Sequence, residues 1–187
     1  MIPPEFSPLH GDRVALRPFR AADLPDFVAY RSDPEVARYQ SWDGYDMAQA
    51  EALLAEQRAL RLGVSGTWYQ LAIADADDQL IGDVGLHFLD EGRQLELGFT
   101  LAAGSQGKGL ATQALTLVLD LAFGDWQMHR ARALTDVDNA RSIALLERLG
   151  FRREGHFVAS YWLGDAWGDE LAFALLAREW RAAAPSK

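Results

Sequence analysis

A glycine-containing segment in the second half of the chain has the residue types of an anion-binding loop. Its sequence, Gln106-Gly107-Lys108-Gly109-Leu110-Ala111, follows a predicted strand and opens a predicted helix. Glycine lets the backbone turn tightly and approach a ligand closely, and the first amides of a helix have no partners within the helix. Together these features predict a binding site for a pyrophosphate group.

Two common phosphate-binding motifs do not fit this loop. A Walker loop needs Ser or Thr directly after Gly107-Lys108 to hold magnesium, and Gly109 stands there. A dinucleotide-binding fingerprint needs Gly or Ala where Thr112 stands, and it lies in the first strand-helix unit of a parallel sheet. For an isolated loop a simple turn would be the better explanation, so the function of this loop depends on the elements that surround it.

The elements that surround the loop alternate between strands and helices. Helices are expected after Asp23, after Asp33-Pro34, and over 47–62, 110–123 and 139–149, with Gly150 ending the last of these. Strands are expected near Val14 and over 68–74, 80–88, 95–101 and 130–137, then from Phe151 and over 171–176. This order predicts an α/β (α+β) fold in which a mixed sheet carries helices on both faces.

Composition limits the functional classes. The 187 residues carry a net charge of −9, which argues against nucleic-acid binding because phosphate contacts need clustered Lys and Arg. The 0 cysteines exclude disulfides, thiolate catalysis and Cys-ligated zinc. The beginning of the chain lacks the apolar run of a secretory signal, and no stretch has the length of a membrane span. The sequence is therefore expected to form one cytoplasmic domain with no membrane partner and no metal.

The loop and its neighbours together resemble the GNAT superfamily of acetyltransferases. The pattern Gln/Arg-x-x-Gly-x-Gly/Ala is similar to the acetyl-CoA pyrophosphate loop of that family, and the segment 96–101 before it resembles the family's central strand. The segment 139–151, which begins Asn139-Ala140-Arg141-Ser142 and ends Leu149-Gly150-Phe151, resembles the second helix beside CoA. The order and spacing of these motifs are specific for the superfamily.

Further segments resemble the RimJ/RimL branch, which contains ribosomal-protein N-terminal acetyltransferases and relatives that act on small amines. They are Glu154-Gly155, Trp167-Gly168-Asp169 and Arg178-Glu179-Trp180, so that the likeness runs from about Val14 to Trp180. Gln113 stands where the branch usually has Glu, a lost local charge that affects no expected CoA contact. The resemblance implies one GNAT domain over 1–187 with its core at about 12–180.

The resemblance also implies how acetyl-CoA binds. In the family's mostly antiparallel sheet two parallel strands splay apart where the central strand carries a bulge, and these correspond to 95–101 and 130–137. Freed backbone groups at Phe99 and Leu101 would pair with the pantetheine arm. The expected pyrophosphate contacts come from Gln106, Gly107, Lys108, Gly109, Leu110 and Ala111, with Lys108 adding positive charge.

Candidate proton donors and acceptors follow from the same resemblance. Ser142 matches the proposed general acid of RimL-like enzymes, although Ser in a first helical turn is often only a hydrogen-bonding residue. Asn139 is expected to cap that helix and to contact CoA or a water. Glu96 is the first candidate for the base; the alternative is that it only forms a structural ion pair. Tyr161 stands where RimL-like enzymes place a Glu, and because a neutral Tyr is a poor base it is expected to orient a water or the substrate. His87 is a third candidate.

The acceptor is the least determined part of the site. Trp42, Tyr45, Trp162 and Trp167 are expected to wall an amine pocket, although aromatic residues are more often part of a core. The sequence leaves open a protein N-terminus, an amino acid, a polyamine or an aminoglycoside as the acceptor, the size of the acyl group, and whether the protein is a homodimer. The expected function is acetyl-CoA-dependent N-acetylation of a primary amine; the alternative is an acyl-CoA-binding sensor that has lost turnover.

Overall fold

One eight-stranded sheet organises the molecule. The computed structural model describes residues 2–40, 42, 44–163 and 166–183. The strands are β1 (Leu9–His10), β2 (Ala15–Pro18), β3 (Trp68–Ala74), β4 (Leu80–Leu89), β5 (Gln94–Leu101), β6 (Arg130–Asp136), β7 (Arg152–Leu163) and β8 (Ala166–Leu176). They lie in the order β1-β2-β3-β4-β5-β6-β8-β7, and every neighbouring pair is antiparallel except β5 and β6. The predicted mixed, mostly antiparallel sheet is confirmed.

Helices cover both faces of this sheet, as predicted. They are α1 (Leu24–Arg31), α2 (Pro34–Ala37), α3 (Met47–Ala59), α4 (Leu110–Phe123), α5 (Ala140–Arg148) and α6 (Ala177–Ala183). The larger core lies between the sheet and the helices α4 and α5, where Leu115, Leu119 and Leu146 are fully buried. A smaller core lies under α1 and α3 on the opposite face, around Phe27 and Leu54.

Local signals account for several element ends. Asp33 accepts a hydrogen bond from the Glu35 N–H and so caps α2, and Gly150 ends α5 with a φ of 87°. Asp23 occupies the N-cap position of α1, but its side chain makes no capping hydrogen bond to that helix. Its carboxylate instead accepts from the Arg20 N–H and from both terminal nitrogens of the buried Arg17, and a buried carboxylate needs such partners.

Two predicted boundaries were wrong. α3 ends at Ala59 rather than at 62, and Leu60 already has an extended backbone with ψ of 143°. β8 begins at Ala166 rather than at Leu171, because its polar first half pairs with β7 across a hairpin. Among the described residues, none of the helices combines the length and hydrophobicity needed to span a bilayer.

Candidate active site

The gap between β5 and β6 opens the sheet at its centre. These parallel strands pair at three positions only, ending at Glu96 and Arg132, although β5 continues to Leu101 and β6 to Asp136. The predicted splay is therefore present. The expected bulge in the central strand is not, because β4 and β5 keep one register over all eight of their described pairs. β5 therefore stays paired with β4, and the gap opens because the pairing of β5 with β6 stops after Glu96 and Arg132.

Backbone groups of β5 face this gap. The Ala102 N–H donates to the Ile81 carbonyl, which fixes which residues of the strand point toward β4. Since successive residues direct their backbone groups to opposite edges, Phe99 and Leu101 point toward the gap. Both residues also line a cavity of about 600 Å³ that extends from the gap. A ligand with amide groups could pair with this edge as an added strand.

The glycine loop closes one end of that cavity, which we call the main cavity. Gly107 and Gly109 have φ values of 73° and 78°, a left-handed conformation that favours glycine. Gly109 is the N-cap of α4 and supplies no side chain, and the first α4 amide to bond within the helix is that of Gln113. The preceding amides, including those of Leu110 and Ala111 in the cavity lining, have no partners within the helix and are available to an anion.

Gln106 connects three elements at the same end of the cavity. Its Nε2 donates to the Leu101 carbonyl at 2.9 Å, and its Oε1 accepts from Arg141 on α5 at 2.5 Å. The side chain therefore holds the loop between the end of β5 and the start of α5. Lys108 is exposed and does not line the main cavity, so its predicted contribution is limited to charge near the loop.

The first turn of α5 contributes two predicted polar residues to the main cavity. Asn139 accepts a hydrogen bond from the Ser142 N–H at 3.1 Å, which confirms its capping role. Both residues line the main cavity, and Ser142 is half-buried. The Ser142 hydroxyl is not needed for the cap, because the cap uses its backbone. A hydroxyl in this place can donate a proton or a hydrogen bond to a bound group.

Glu96 lies in an ion pair outside the lining of the main cavity. Its Oε2 accepts from Arg132 Nη2 at 2.7 Å and Nε at 3.1 Å, and lies 3.4 Å from His87 Nδ1. His87 stacks on Trp68 with 4.7 Å between ring centroids. The other carboxylate oxygen, Oε1, has no hydrogen bond from the part of the chain that the structure describes.

Tyr161 supports the turn before α5 instead of lining the main cavity. Its hydroxyl donates to Asp136 Oδ2, and Asp136 Oδ1 accepts from the Asp138 N–H at 2.6 Å. Burial, followed by the hydrogen bond to Asp136, raises the pKa of Tyr161 well above its ordinary value. The hydroxyl therefore stays protonated at neutral pH, and its clearest contact is with the turn that leads to Asn139.

The aromatic residues predicted to wall an amine pocket lie elsewhere. Trp42 and Tyr45 pack against the Arg31 guanidinium, which lies 3.9 and 5.0 Å from their ring centroids. Trp162 and Trp167 meet edge to face at 5.5 Å on the β7–β8 hairpin and are mostly exposed. None of the four lines the main cavity.

α2 and the turn that follows it form a wall that the sequence patterns did not predict. Glu35 and Val36 of α2, with Tyr39 and Gln40 of the turn, line the main cavity. Asp33-Pro34 correctly predicted a helix here, but nothing in its sequence indicated that the helix faces the gap in the sheet. In the described ranges, no three His, Asp or Glu side chains are grouped so as to hold a metal ion.

Comparison with known proteins is consistent with this geometry. The model of the Acetyltransferase (GNAT) domain family matches residues 13–152. The uncharacterized N-acetyltransferase p20 of Bacillus licheniformis is 30% identical over 149 residues, which cover 79% of this chain and 83% of that protein. The ribosomal protein uS5-alanine N-acetyltransferase of Escherichia coli (strain K12) is 34% identical over 84 residues, 45% of this chain and 43% of that protein.

A solved relative has the same fold. The crystal structure of spermidine N-acetyltransferase from Vibrio cholerae in complex with CoA and spermine superposes with a TM-score of 0.79 at 22% identity, covering 91% of this chain and 99% of that one. The family match spans most of the chain and includes the β5–β6 gap and the glycine loop. This chain therefore belongs to the GNAT family and is an acetyltransferase.

Proposed function

We propose that this enzyme transfers an acetyl group from acetyl-CoA to a primary amine, by direct attack of the amine in a ternary complex, as a RimJ/RimL-type N-acetyltransferase. The observation that carries the proposal is the composition of the main cavity. It joins the exposed backbone edge at Phe99 and Leu101 to the open amides of the glycine loop and to Ser142. One ligand that needs all three features is an acyl thioester on a long amide-containing arm that ends in a pyrophosphate.

Different groups of the protein bind different parts of acetyl-CoA. The β5 edge at Phe99 and Leu101 pairs with the amides of the arm, and the amides that follow Gly109 hold the pyrophosphate. A β5 N–H in the gap polarises the thioester carbonyl and stabilises the negative charge that develops on its oxygen. Gln106 keeps the loop at its distance from β5 and α5.

Direct transfer requires one new bond, one broken bond and three proton movements. A base first removes the proton that makes the amine an ammonium ion, and the amine nitrogen then attacks the thioester carbonyl carbon. The nitrogen loses a second proton, the carbon–sulfur bond breaks as the intermediate collapses, and an acid protonates the leaving sulfur, so that one proton is released overall. Ser142 is the proposed acid because its hydroxyl is in the cavity lining and is free of the helix cap.

Glu96 remains the first candidate for the base. Arg132 and His87 contact only Oε2, which leaves Oε1 to accept a proton, directly or through a water. Glu96→Gln should lower kcat and flatten the acidic limb of the pH–rate profile while leaving CoA affinity unchanged. Arg132→Gln is the matched control, since it breaks the same ion pair and keeps the carboxylate. A Glu96→Gln enzyme that loses only thermal stability, as the control would, excludes the base role.

The acceptor is proposed to be a cationic amine that enters past α2. Two relatives support an amine, since one is a ribosomal protein uS5-alanine N-acetyltransferase and another was solved with spermine. Glu35 brings a carboxylate to the α2 wall of the main cavity, and the chain has a net charge of −9. Negative charge on this wall attracts an ammonium group before it loses its proton.

A thiol-release assay tests the proposal without interference from the protein. Because the chain has 0 cysteines, a thiol reagent detects only the CoA that is set free. A panel of peptide N-termini, amino acids, polyamines and aminoglycosides should contain at least one amine that accelerates release, with the acetylated product confirmed by mass. Tight acetyl-CoA binding with no accelerating amine in the panel would favour the acyl-CoA sensor.

A further inference from the structure

A second cavity continues from the glycine loop on the far side of α4. Its volume is about 520 Å³, and it lies between the turn at residues 11–13 and the first turns of α4. Gly109, Thr112 and Arg148 line both this cavity and the main cavity. A ligand whose pyrophosphate lies at the glycine loop can therefore extend into the second cavity without leaving the protein surface.

Two arginines converge on this second cavity from different elements. The Arg13 N–H donates to Gln113 Oε1 at 3.2 Å, which fixes the turn against α4. A guanidinium nitrogen of Arg13 lies 3.2 Å from the place that a Cβ at Gly109 would occupy, so the charge is beside the loop. Arg148 is the last residue of α5 and lines the same cavity.

The charge of these arginines is not neutralised locally. Neither Arg13 nor Arg148 forms a salt bridge with any residue that the structure describes, whereas Arg17, Arg31 and Arg152 all do. Asp12 is the one carboxylate among the described residues that line the second cavity. Two cations against one anion leave a net positive site in a chain whose overall charge is −9.

We propose that the second cavity binds the 3′-phosphate of CoA, with Arg13 and Arg148 as its ligands, and that the enzyme thereby selects CoA over 3′-dephospho-CoA. The inference rests on the proposed use of acetyl-CoA. The 3′-phosphate is the one group of CoA beyond the pyrophosphate that carries further negative charge, and guanidinium groups match phosphate oxygens in geometry and charge. Glycine at position 109 leaves room for the Arg13 guanidinium beside the loop, because a side chain there would meet it.

The expected selectivity is moderate because both arginines are exposed. Exposed ion pairs change affinity by at most about fivefold each, so two of them should favour CoA by roughly three- to thirtyfold. The preference should shrink as ionic strength rises, since exposed charges are screened over about 8 Å at physiological salt. Asp12→Asn should increase it, because the substitution removes the carboxylate from the second cavity.

Calorimetry with CoA and 3′-dephospho-CoA tests the proposal. The parent protein should bind CoA more tightly, and Arg13→Gln/Arg148→Gln should bring the ratio of the two Kd values close to one while leaving the Kd for dephospho-CoA unchanged. Arg58→Gln/Arg61→Gln removes two exposed charges that line neither cavity and should keep the parent ratio. This control separates a specific contact from a change in net charge.

Three other outcomes would contradict the proposal, each in a different way. Equal affinities in the parent, or a ratio that survives in the double variant, would overturn the 3′-phosphate site and leave the acetyl-CoA proposal standing. A loss of affinity for both ligands in the double variant would assign the arginines to the pyrophosphate instead. If neither ligand binds the parent protein, the proposed function fails together with this inference.

Discussion

The two walls of the main cavity are built from different kinds of contact. The glycine loop and the first turn of α5 form one wall, and their geometry depends on residues close in sequence, such as Gly109 and the Asn139–Ser142 cap. The α2 wall depends on contacts between distant residues. α2 has only four residues, and a helix of that length is not stable by itself.

A buried ion pair secures the start of the α2 wall. Arg31, at the end of α1, donates to Asp83 of β4 at 3.1 Å, and both side chains are almost fully buried. Asp83 also accepts from Tyr30 and from Gln70, which completes its hydrogen bonds. The guanidinium packs 3.9 Å from the ring centroid of Trp42, whose Nε1 donates to the Arg31 carbonyl. The wall at the glycine loop should therefore tolerate local changes, whereas the α2 wall should respond as a unit.

Removing the Ser142 hydroxyl should have the largest effect on turnover. General acid catalysis contributes about 10²–10⁴-fold, so Ser142→Ala should lower kcat by roughly that factor. Acetyl-CoA affinity and stability should change little, because the cap uses the backbone N–H of residue 142. Single-turnover kinetics measures the chemical step directly.

Asn139→Ala is the contrasting variant on the same turn. Loss of an N-cap costs about 1 kcal/mol, so its first effect should be a lower melting temperature. If Ser142→Ala keeps activity within about twofold of the parent with chemistry rate-limiting, the hydroxyl is structural and water supplies the proton.

Breaking the ion pair under the α2 wall should have the next largest effect. Arg31→Met leaves Asp83 buried without its cation, and removing one partner of a buried pair costs about 3–5 kcal/mol of unfolding free energy. Arg31→Met/Asp83→Asn should recover much of this loss, because it leaves no unpaired charge. Urea denaturation of the single and double variants provides the measurement.

The same variants distinguish the two walls in kinetics. In the double variant, the KM for the amine should rise more than the KM for acetyl-CoA, because the amine is proposed to enter past the α2 wall. Equal changes in both values would show that the two walls do not act separately. A single variant that costs less than about 1 kcal/mol would show that Arg31 is not needed by Asp83.

The difference between the walls also explains what the sequence could predict. Glycines with positive φ, the Asn139 cap and the strand alternation of β3 and β5 leave local patterns, and the corresponding elements were predicted correctly. Arg31 and Asp83 are 52 residues apart, and no periodicity relates them. The placement of Trp42 on Arg31, of Glu96 on Arg132 and of α2 on the cavity each depends on such distant pairing.

A charge in the glycine loop should weaken CoA binding in protein that is still folded. Gly109→Asp places a carboxylate beside the expected pyrophosphate, so CoA affinity should fall about tenfold or more, while the φ of 78° at this position strains any side chain and should lower the melting temperature. Gly104→Asp is the control for the added charge alone, since a side chain there meets no atom within 4 Å and Gly104 does not line the main cavity. Calorimetry compares the two variants, and equal CoA affinities would remove the loop from the site.

Removing the exposed carboxylate of Glu154 should have the smallest effect on stability, and it provides a reference for the buried Arg31–Asp83 pair. Arg130, followed by Arg152, lowers the pKa of Glu154 from 4.5 to about 2. A carboxylate whose pKa is lower in the folded protein stabilises it above the unfolded pKa, and this stabilisation is lost as pH falls from about 4.5 to about 2. Because the side chain is in contact with solvent, Glu154→Gln should cost less than about 1 kcal/mol of unfolding free energy at pH 7.

Urea denaturation of the parent and the Glu154→Gln variant should show this difference in unfolding free energy at pH 7, and the difference should decrease gradually below pH 4.5. A gap that widens on acidification would mean that the arginines stabilise the fold through other partners, such as Glu179, which accepts from Arg152.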